Sequence, residues 1–426
     1  MQQGGSRVKK QGLGLKLQKL HSLNAWIILF LAISGILLYL PPMRALLGEG
    51  RVWLKQLHIA AGLVSLALII IYLPYIRKHL RLLTTRKAQQ GNLMLVLVLL
   101  VGWIVSGLVL WRYRSFPPAW NNSALLVHDL LTWVGIPYAV YHSVTRSRWL
   151  RKVGREVGRN QHPPLGKPMK VKEIGTYEPK TGRISRHISR RSFIKTGVAA
   201  VVVAVAMPPF IRWLNSAVSG SNLSSLQEEE SVFADFLQPT PLSDSLPPKG
   251  GGAKGSFRIY TVTDIPKFNP DKWTFTVDGL VNQPFQSSWT EFLAFPRQVQ
   301  VSDFHCVTGW SVNSCTWEGI PLNKLLEQAG VKEGVKMVKF HSADGEYTDN
   351  ITIEQTWMED VMVAVMLDGK PIPRDMGGPV RLVVPQMYAY KSVKWLNRIE
   401  LIDSDHTGYW EQRGYAKDAW IWVPPM

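Results

Sequence analysis

Cysteine is scarce in this sequence, with 2 residues among 426. Two cysteines cannot build a disulfide scaffold or a four-cysteine zinc site, although a single thiolate is still able to bind a metal or act in catalysis. Charged residues are also few, at 19%, whereas apolar residues make up 46% and tryptophan occurs 17 times. This composition excludes an intrinsically disordered chain, and the length suffices for two or three domains.

Acidic residues are nearly absent from the first half of the chain. Residues 1–196 contain 30 Lys and Arg against 5 Asp and Glu, whereas residues 197–426 contain 19 against 26. The net charge of +18 by itself would suit a nucleic-acid-binding protein. The change of sign between the halves instead indicates two compartments, and we expect no nucleic-acid partner.

Long apolar runs are concentrated in the first third of the chain. Each is close to the ~20 residues that cross ~30 Å of hydrocarbon as a helix. Four such runs predict an all-α transmembrane four-helix domain over residues 1–150, and a weaker fifth run predicts an anchor helix over residues 197–214. The four runs are Leu23–Leu40, His58–Ile76, Leu93–Trp111 and Ala124–Val144.

Basic residues set the expected orientation of these helices. They are concentrated in the N-terminal tail, in the connection of residues 77–92 and in residues 145–196, which the positive-inside rule assigns to the cytoplasm. The fifth run then crosses outward. We therefore expect a multi-pass protein of a bacterial plasma membrane, bound by the lipid bilayer, with its C-terminal domain outside the cytoplasm.

Histidines within the apolar runs are candidate ligands, because ionisable residues in a bilayer are costly. His128 and His142 are 14 residues apart, so they share a helix face at a separation of roughly 21 Å. In the predicted orientation, His58 lies at the same membrane depth as His128, and His21 lies at the same depth as His142. For any single one of these histidines, a packing role is the alternative. His79 lies in a basic connection and is expected to be solvated.

Two pairs of imidazoles at two depths are what two stacked haem b groups require. Filled axial positions suit electron transfer rather than oxygen binding. The pattern resembles the four-helix di-haem cytochrome b families that serve membrane oxidoreductases. We expect His58 and His128 to bind the outer haem iron, and His21 and His142 the inner one.

The segment Ser189–Lys195, which contains two adjacent arginines, precedes the fifth run within a basic linker of residues 151–196. It is similar to a twin-arginine export signal, although a chance pair of arginines is the alternative. Such export moves folded proteins, so the resemblance implies a cofactor acquired in the cytoplasm and the export machinery as a partner. Ala204–Ala206 is similar to a cleavage site, but we expect the helix to be retained as an anchor.

The last part of the chain has a different character. Residues 215–256 are rich in Ser, Pro and Gly and predict a flexible extracytoplasmic tether. Residues 257–426 predict an α+β domain, with alternating strands at Trp273–Val277, Val335–His341 and Val380–Val384 and a helix at Pro321–Ala329.

Three segments of this domain carry a family resemblance: Phe304–Ser311, Trp317–Leu322, and Gly377–Pro385 continuing into Tyr390–Trp395. Together they resemble the molybdopterin-binding domain of the sulfite oxidase family, over about Phe257 to Tyr415. The branch that is most similar is the catalytic subunit of periplasmic methionine-sulfoxide reductases.

The resemblance implies a role for each matched residue. Cys306 would be the thiolate ligand of molybdenum, and soft thiolates suit such sulfur-rich sites. Cys315 has no matching role and is expected to be an inert buried thiol. The positions implied to hold the pterin and its phosphate, or to lie beside the cofactor, are Arg381, Ser392, Val393, Lys394, Ser342 and, more weakly, His341.

The sequence departs from the reductase pattern at several points. Met376 stands where the reductases have an asparagine, and Thr263–Phe268 has no clear counterpart of their N-terminal cofactor contacts. Val307–Ser311 contains no basic residue, unlike the arginine-rich segment of the sulfite-oxidising relatives. This disfavours sulfite, because that anion needs a cationic pocket.

These observations predict a membrane-bound molybdenum oxidoreductase. We expect quinol to supply electrons through two haem b groups to an extracytoplasmic molybdopterin site that reduces S-oxides or N-oxides. The first alternative is the reverse flow, in which sulfite or another small substrate is oxidised into the quinone pool. The second is a catalytically silent pterin-binding module on an electron-carrying or redox-sensing cytochrome.

Overall fold

The computed structural model describes residues 13–40, 50–146 and 237–421, with scattered positions between 43 and 47 and between 196 and 214. Ser189–Lys195 and the first part of the predicted tether lie outside the described residues. The chain forms two compact units, one of residues 1–129 with 216–426 and the other of Leu130–Asn215.

The four apolar runs are helices of membrane-spanning length: α1 (Leu13–Tyr39), α2 (Gly50–Leu82), α3 (Lys87–Trp111) and α4 (Pro118–Arg146). Together they form the helical domain, and the prediction of a four-helix membrane bundle is confirmed. The connection expected over residues 77–92 is shorter than predicted, because α2 continues to Leu82. His79 therefore lies in a helix, where its Nδ1 is 2.8 Å from the Tyr72 hydroxyl, rather than in a solvated loop.

Apolar side chains cover the outside of these helices. Trp26, Ile71 and Val98 are among the large residues that are more than half exposed. Water would oppose such a surface, whereas lipid favours it, so it is consistent with burial in a bilayer. The buried positions include small polar residues such as Ser34, Ser65 and Ser106, as is typical where helices approach closely in membranes.

The second unit contains the last part of α4. Its Trp133 ring packs edge-on against Phe210, with ring centroids 6.3 Å apart. The described positions between 196 and 214 are helical, in agreement with the predicted fifth helix.

The sheet domain (residues 237–421) contains two five-stranded sheets. The first has the order β2-β1-β10-β5-β6, in which only β1 and β10 are parallel. The second has the order β3-β4-β7-β8, with β9 also paired to β7. The strands are β1 (Thr274–Gly279), β2 (Phe285–Ser288), β3 (Gln298–His305), β4 (Ser311–Pro321), β5 (Met337–Ser342), β6 (Thr348–Thr352), β7 (Met362–Leu367), β8 (Lys370–Pro371), β9 (Arg381–Val383) and β10 (Leu396–Ile402).

Two short helices complete the core of the sheet domain. Helix α5 (Trp289–Leu293) begins with a capping box between Ser288 and Glu291. Helix α6 (Leu322–Ala329) buries four apolar side chains against β4 and β1, because they recur at helical spacing. The prediction of a sheet-rich α+β domain is confirmed, including the helix expected at Pro321–Ala329.

The sheet domain begins earlier than the sequence indicates. Residues 237–256, expected to belong to the tether, are bonded to the strands: Leu242 donates its N–H to the Glu318 carboxylate at 3.0 Å, and Ala253 donates to Asp368 at 2.8 Å. Backbone N–H groups that are paired in this way hold the segment against the sheet.

One end of the helical domain, here called the docking end, contacts the sheet domain. Val52 of α2 and Tyr113, between α3 and α4, pack against the main core of the sheet domain. Arg258 binds Asp129 of α4 at 2.8 Å, and the Asp129 side chain is 9% exposed. This ion pair holds the sheet domain against α4.

Candidate functional site

Cys306 begins a five-residue turn that joins β3 to β4. The turn is closed by two backbone bonds, from Cys306 N–H to the Trp310 carbonyl and from Gly309 N–H to the Cys306 carbonyl, both at 2.9 Å. The Thr308 hydroxyl lies 3.2 Å from the Cys306 sulfur. A hydroxyl at this distance is able to donate to a thiolate and stabilise its charge.

Gly309 of this turn meets the docking end. Its φ of +100° favours glycine, and a Cβ there would lie 2.8 Å from Leu110 and 3.3 Å from the Asn121 carbonyl oxygen. The backbone of the turn therefore lies directly against the ends of α3 and α4. Cys306 itself is half-buried and packs against the main core of the sheet domain.

Four polar side chains lie within electrostatic range of the Cys306 sulfur. Three come from the sheet domain and one from α2. They are Lys394, Tyr388, Tyr415 and Lys55. The sulfur therefore lies where the two domains meet, and both domains contribute to its surroundings.

Tyr388 has a buried hydroxyl that finds no hydrogen-bond partner among the described residues. Its ring packs edge-on against Tyr113, with ring centroids 5.2 Å apart. Burial raises the pKa of Tyr388 to about 12, so the hydroxyl keeps its proton and remains a donor. A buried polar group without a partner is costly and indicates a ligand that is missing from the protein itself.

Lys394 lies in the predicted pterin-binding segment Tyr390–Trp395. Its ammonium donates to the carbonyl of Tyr260 at 3.0 Å and to that of Asp375 at 2.7 Å. Burial, followed by repulsion from Arg381, lowers the pKa of Lys394 to about 7. The structure thus brings Lys394, Arg381 and Cys306 into one electrostatic neighbourhood.

Arg381 is buried, and its guanidinium bonds the backbone rather than a side chain. It donates to the carbonyls of Met376 at 2.6 Å and Ser392 at 3.2 Å. Burial lowers the pKa of Arg381 to about 10, which leaves it charged at neutral pH. The Ser392 hydroxyl accepts from the Val384 N–H at 3.0 Å, and Val393 donates its N–H to the Lys391 carbonyl. Arg381 and Ser392 of the predicted phosphate-binding set thus hold the backbone of the segments in which they lie.

Ser342 and His341 occupy the end of β5. Ser342 is buried and lies opposite Leu396 in the sheet, so it is adjacent to the segment that carries Lys394. His341 points to a different partner, because its Nε2 lies 2.8 Å from the Glu400 carboxylate. Of these two predicted residues, Ser342 is the one that the structure brings towards the Lys394 segment.

Cys315 lies in β4 of the second sheet, and its side chain is fully buried. Burial, reinforced by nearby carboxylates, raises the pKa of its thiol. It therefore stays protonated and unreactive at neutral pH.

A buried ion network that no sequence motif predicts supports the predicted pterin-binding segment. The Lys391 ammonium donates to Asp349 at 2.8 Å, to the Asn350 carbonyl at 2.9 Å and to Glu411. All three charged side chains are at most 3% exposed. Burial raises the pKa of Asp349 to about 6, although Lys391 opposes the shift. Their separation along the chain explains why no local pattern revealed the network.

His58 of α2 is held by α1 in a specific way. The Ser34 hydroxyl donates to the Phe30 carbonyl at 2.8 Å and lies 2.8 Å from His58 Nδ1. Because the hydroxyl hydrogen is used, its oxygen is available to accept a hydrogen from Nδ1. In a neutral imidazole with its hydrogen on Nδ1, Nε2 carries no hydrogen, as iron ligation requires. A Cβ on Gly35 would lie 3.5 Å from the ring, so glycine leaves room beside the imidazole.

His128 of α4 repeats this arrangement with α3. Ser106 donates to the Gly102 carbonyl at 2.7 Å and lies 3.0 Å from His128 Nδ1. A Cβ on Gly107 would lie 3.7 Å from the ring. The rings of His58 and His128 lie within electrostatic range of each other. The predicted outer pair is therefore brought together, with a Ser-Gly step on the preceding helix behind each ring.

The predicted inner pair consists of His21 and His142. His21 lies near the start of α1 and is exposed. His142 lies near the end of α4, where its ring is 5.9 Å from that of Tyr138. Their pairing stays a prediction.

The residues present fit the two cofactors that the sequence resemblances imply. For haem, two neutral imidazoles of fixed tautomer stand beside glycines that leave room for a planar group. For molybdopterin, a half-buried thiol, a buried tyrosine hydroxyl without a partner and a lysine ammonium lie together. No group of three or more His, Cys, Asp or Glu side chains forms a metal site within the described ranges. A metal at Cys306 therefore needs further ligands from a cofactor.

Comparison with known protein families divides the chain at the same place. Residues 262–410 match the oxidoreductase molybdopterin binding domain, and residues 14–155 match prokaryotic cytochrome b561. The first range contains Cys306 and every predicted pterin-binding residue, and the second contains all four predicted haem ligands.

Individual relatives agree with the first match. The uncharacterized oxidoreductase YuiH of Bacillus subtilis (strain 168) is 36% identical over 168 residues, which are 39% of this chain and 84% of that protein. The protein-methionine-sulfoxide reductase catalytic subunits MsrP of Gluconobacter oxydans and Campylobacter jejuni are each 26% identical over 243 residues. These are 53% and 52% of this chain and 73% and 76% of theirs.

A solved structure, the sulfane dehydrogenase SoxCD from Paracoccus pantotrophus, is 24% identical and has a TM-score of 0.30. The match covers 33% of this chain and 40% of that one, a likeness too slight to bear on function. The family matches and the relatives assign molybdopterin and haem b as cofactors and show a molybdenum-dependent oxidoreductase in a membrane. The chain belongs to the sulfite oxidase-like family of molybdopterin oxidoreductases, fused to a membrane domain of the prokaryotic cytochrome b561 family.

Proposed function

We propose that this protein reduces small S-oxides or N-oxides at the molybdenum site, with electrons that quinol delivers to the helical domain. The overall reaction converts an S-oxide and a quinol into a sulfide, a quinone and water. Two electrons and two protons come from the quinol, and the oxygen of the substrate leaves in the water. Bound molybdopterin supplies two-electron oxygen-atom transfer, and the protein supplies binding, orientation and electrostatics.

The observation that carries the proposal is the contact of the Cys306 turn with the docking end. Gly309 packs against Asn121 at the start of α4, and His128 follows Asn121 by seven residues. Seven residues of helix rise about 10 Å. The proposed molybdenum ligand and the proposed outer haem pair are therefore neighbours within one chain, and no separate electron carrier is needed between them.

Roles for individual residues follow from their positions. Cys306 is the molybdenum thiolate, with the Thr308 hydroxyl stabilising its charge. Lys394 is the cation nearest to the sulfur within the predicted pterin-binding set. Arg381, Ser392, Val393 and Ser342 shape the loop that receives the pterin and its phosphate, and His341 has the weakest case because it is bonded to Glu400.

The helical domain carries two haem b groups in this proposal. His58 and His128 bind the one near the docking end, and His21 and His142 bind the other. Quinol is the electron source, because a haem held by two imidazoles would transfer electrons rather than bind oxygen, and the helices lie in the membrane where quinones dissolve.

The proposed topology follows the charge distribution. The basic connections face the cytoplasm, and the sheet domain faces the outside of a bacterial plasma membrane. The segment Ser189–Lys195 would direct export of the folded sheet domain, with residues 197–214 retained as an anchor.

Two findings support a sulfoxide as the substrate. The MsrP relatives are named as protein-methionine-sulfoxide reductases, and Val307–Ser311 lacks the basic residues expected beside a sulfite site. The reverse reaction, oxidation of an anion such as sulfite, is the second candidate. It is favoured by one observation, the presence of Lys55 near Cys306.

The test is purification of the intact chain in detergent, followed by metal and haem stoichiometry. We expect one molybdenum and two haems per chain, and reoxidation of quinol-reduced haems by methionine sulfoxide or trimethylamine N-oxide. Reduction of oxidised haems by sulfite, without any reoxidation by S-oxides, would reverse the proposed direction.

Cys306→Ser provides the matched variant. It should abolish reoxidation by S-oxides while leaving the haem spectrum unchanged, because Cys306 lies in the sheet domain and binds no haem iron in this proposal. Cys315→Ser is the control, since Cys315 is buried in β4 of the second sheet. Normal turnover in Cys306→Ser would remove Cys306 from its role.

A further inference from the structure

Helix α2 carries a line of polar residues at the docking end. Arg51, Lys55 and His58 follow one another at intervals of four and three residues, so they share one face of the helix. His58 faces α1 and His128, whereas Arg51 and Lys55 reach the sheet domain. The line therefore connects the proposed haem pair with the surroundings of Cys306.

Arg51 is fixed by aromatic rings of the sheet domain. Its guanidinium carbon lies 3.6 Å from the centroid of the Tyr260 ring and 4.2 Å from that of the Trp410 ring. Cation–π contacts of this kind hold a cation in place without neutralising it. Arg51 therefore anchors α2 to the sheet domain.

Lys55 lies one turn further along α2, and its ammonium is 4.9 Å from the centroid of the Tyr415 ring. Its charge acts on both Arg51 and the Cys306 sulfur. An ammonium has three N–H donors, and no acceptor for them is found among the residues that the structure describes. The repulsion between Arg51 and Lys55 would be relieved by an oxygen ligand that carries negative charge.

Tyr388, a residue of the sheet domain, also lies within electrostatic range of the Cys306 sulfur. Its hydroxyl is buried and has no partner in the described part of the chain. An unmatched buried donor such as the Tyr388 hydroxyl costs about 1–3 kcal/mol. The Tyr388 hydroxyl and the half-buried Lys55 ammonium come from different domains and both act on the Cys306 sulfur, so they point to one acceptor that belongs to a ligand.

We propose that α2 completes the molybdenum site, and that Lys55 and Tyr388 together receive the oxygen end of the oxo substrate. This inference rests on the proposed function and names the residues that select its substrate. The ligand class is a small molecule with a polarised or anionic oxygen. The membrane helix thereby supplies one charged donor to the oxygen of the substrate.

A haem propionate has the same oxygen chemistry, and Lys55 is one turn from His58. Substrate binding and propionate binding by Lys55 affect different measurable quantities. A lysine that binds substrate affects KM and the affinity for oxyanions, whereas a lysine that binds a propionate affects the midpoint potential of the haem. The experiment therefore measures all three quantities on the same purified holoenzyme.

The experiment compares Lys55→Gln, Lys55→Arg and Tyr388→Phe with the wild type. We expect Lys55→Gln to raise the KM for methionine sulfoxide about tenfold, in line with the loss of one charge-assisted hydrogen bond. Inorganic phosphate, a dead-end oxyanion, should perturb the Mo(V) resonance of the wild type with an affinity that Lys55→Gln weakens about tenfold. Lys55→Arg should retain most of the affinity for methionine sulfoxide and for phosphate. Tyr388→Phe should weaken both affinities.

The control is Lys324→Gln. Lys324 is an exposed lysine of α6 that pairs with Glu327 at 2.7 Å. We expect it to match the wild type in KM, phosphate affinity and haem potentials.

Two results would overturn the inference. One is a KM and a phosphate affinity in Lys55→Gln and Tyr388→Phe that lie within twofold of the wild type. The other is a change confined to the haem potential in Lys55→Gln, which would assign Lys55 to a propionate. A wild type that no S-oxide reoxidises would instead refute the proposed function, and the phosphate titration would still report on the pocket because it needs no turnover.

Discussion

The bond between Ser34 and His58 gives a specific prediction about haem binding. Ser34→Ala removes the hydroxyl oxygen that accepts from His58 Nδ1 at 2.8 Å. The change leaves almost no cavity, because only one oxygen atom is lost. His58 then loses the contact that fixes its tautomer, so the proton is free to occupy Nε2, the nitrogen that faces the haem in our proposal.

The expected magnitude follows from the role of outer-shell partners. Removing a hydrogen bond to a ligating histidine typically weakens metal affinity by about 10- to 100-fold, or about 1.4–2.7 kcal/mol. The loss should be larger for Ser34→Ala than for Ser106→Ala. His128 keeps a second hold after the latter change, since it also hydrogen-bonds the backbone of Trp103.

The assay is haem titration of the haem-depleted chain in detergent, followed by absorbance, together with the midpoint potential of the haem nearest the sheet domain. Ser65→Ala is the matched control, because Ser65 is an equally buried serine whose hydroxyl bonds Asn24 across α1 and α2 instead of a histidine. We expect Ser65→Ala to leave haem affinity and potential unchanged.

Two results would refute this reasoning. If Ser34→Ala and Ser65→Ala weaken haem binding equally, the serines act through helix packing and not through the tautomer of a ligand. If Ser34→Ala leaves the affinity and potential unchanged, His58 is not held as an iron ligand by this bond.

Three further predictions concern the charged contacts of the sheet domain. Arg258→Gln should weaken docking by about 1–2 kcal/mol, because Asp129 is buried but Arg258 is about one-third exposed; substrate-driven haem reoxidation should slow, and the double variant Arg258→Gln/Asp129→Asn should recover part of the rate, whereas no recovery would contradict the pairing. Lys391→Met should lower the free energy of unfolding of the sheet domain by about 3–5 kcal/mol in a urea titration, because it strands the buried carboxylates of Asp349 and Glu411; a loss below about 1 kcal/mol would show that the network is not a stabilising feature. The pKa of Asp349 is raised by burial from 3.8 to about 6, so the stability that its protonated form contributes is present below pH 3.8 and is lost as the pH rises through about 6; relative to Asp349→Asn, the wild type should lose about 2–3 kcal/mol of unfolding free energy across this window, and a pH-independent difference would refute the shift.

Much of the architecture could be predicted from local patterns. The apolar runs predicted all four membrane-length helices because crossing the hydrocarbon core requires a continuous apolar segment of fixed length. The segment around Cys306 and the segment from Gly377 to Trp395 predicted the molybdopterin domain, and the family matches confirm it. Helix spacing and the charge distribution predicted that His58 and His128 lie at one membrane depth. The structure brings these two residues together.

The chemistry around these centres could not be predicted in the same way. No local pattern distinguishes Arg51 or Lys55 from other basic residues near the helix ends. Each meets aromatic rings that lie roughly 200 to 360 positions later in the chain. Ser34 carried a weak signal, because a Ser-Gly step precedes both His58 and His128 by 22 to 24 residues.

The sequence alone therefore determined which segments lie in the membrane, which cysteine is matched to molybdenum and which histidines are candidates for iron. These properties depend on residue type and short-range spacing. Only the tertiary structure decided that α2 supplies cations beside Cys306, that serines fix the histidine tautomers and that a buried lysine supports the pterin-binding segment. Such contacts join residues far apart in the chain, and they exist only once the helices and strands have packed together.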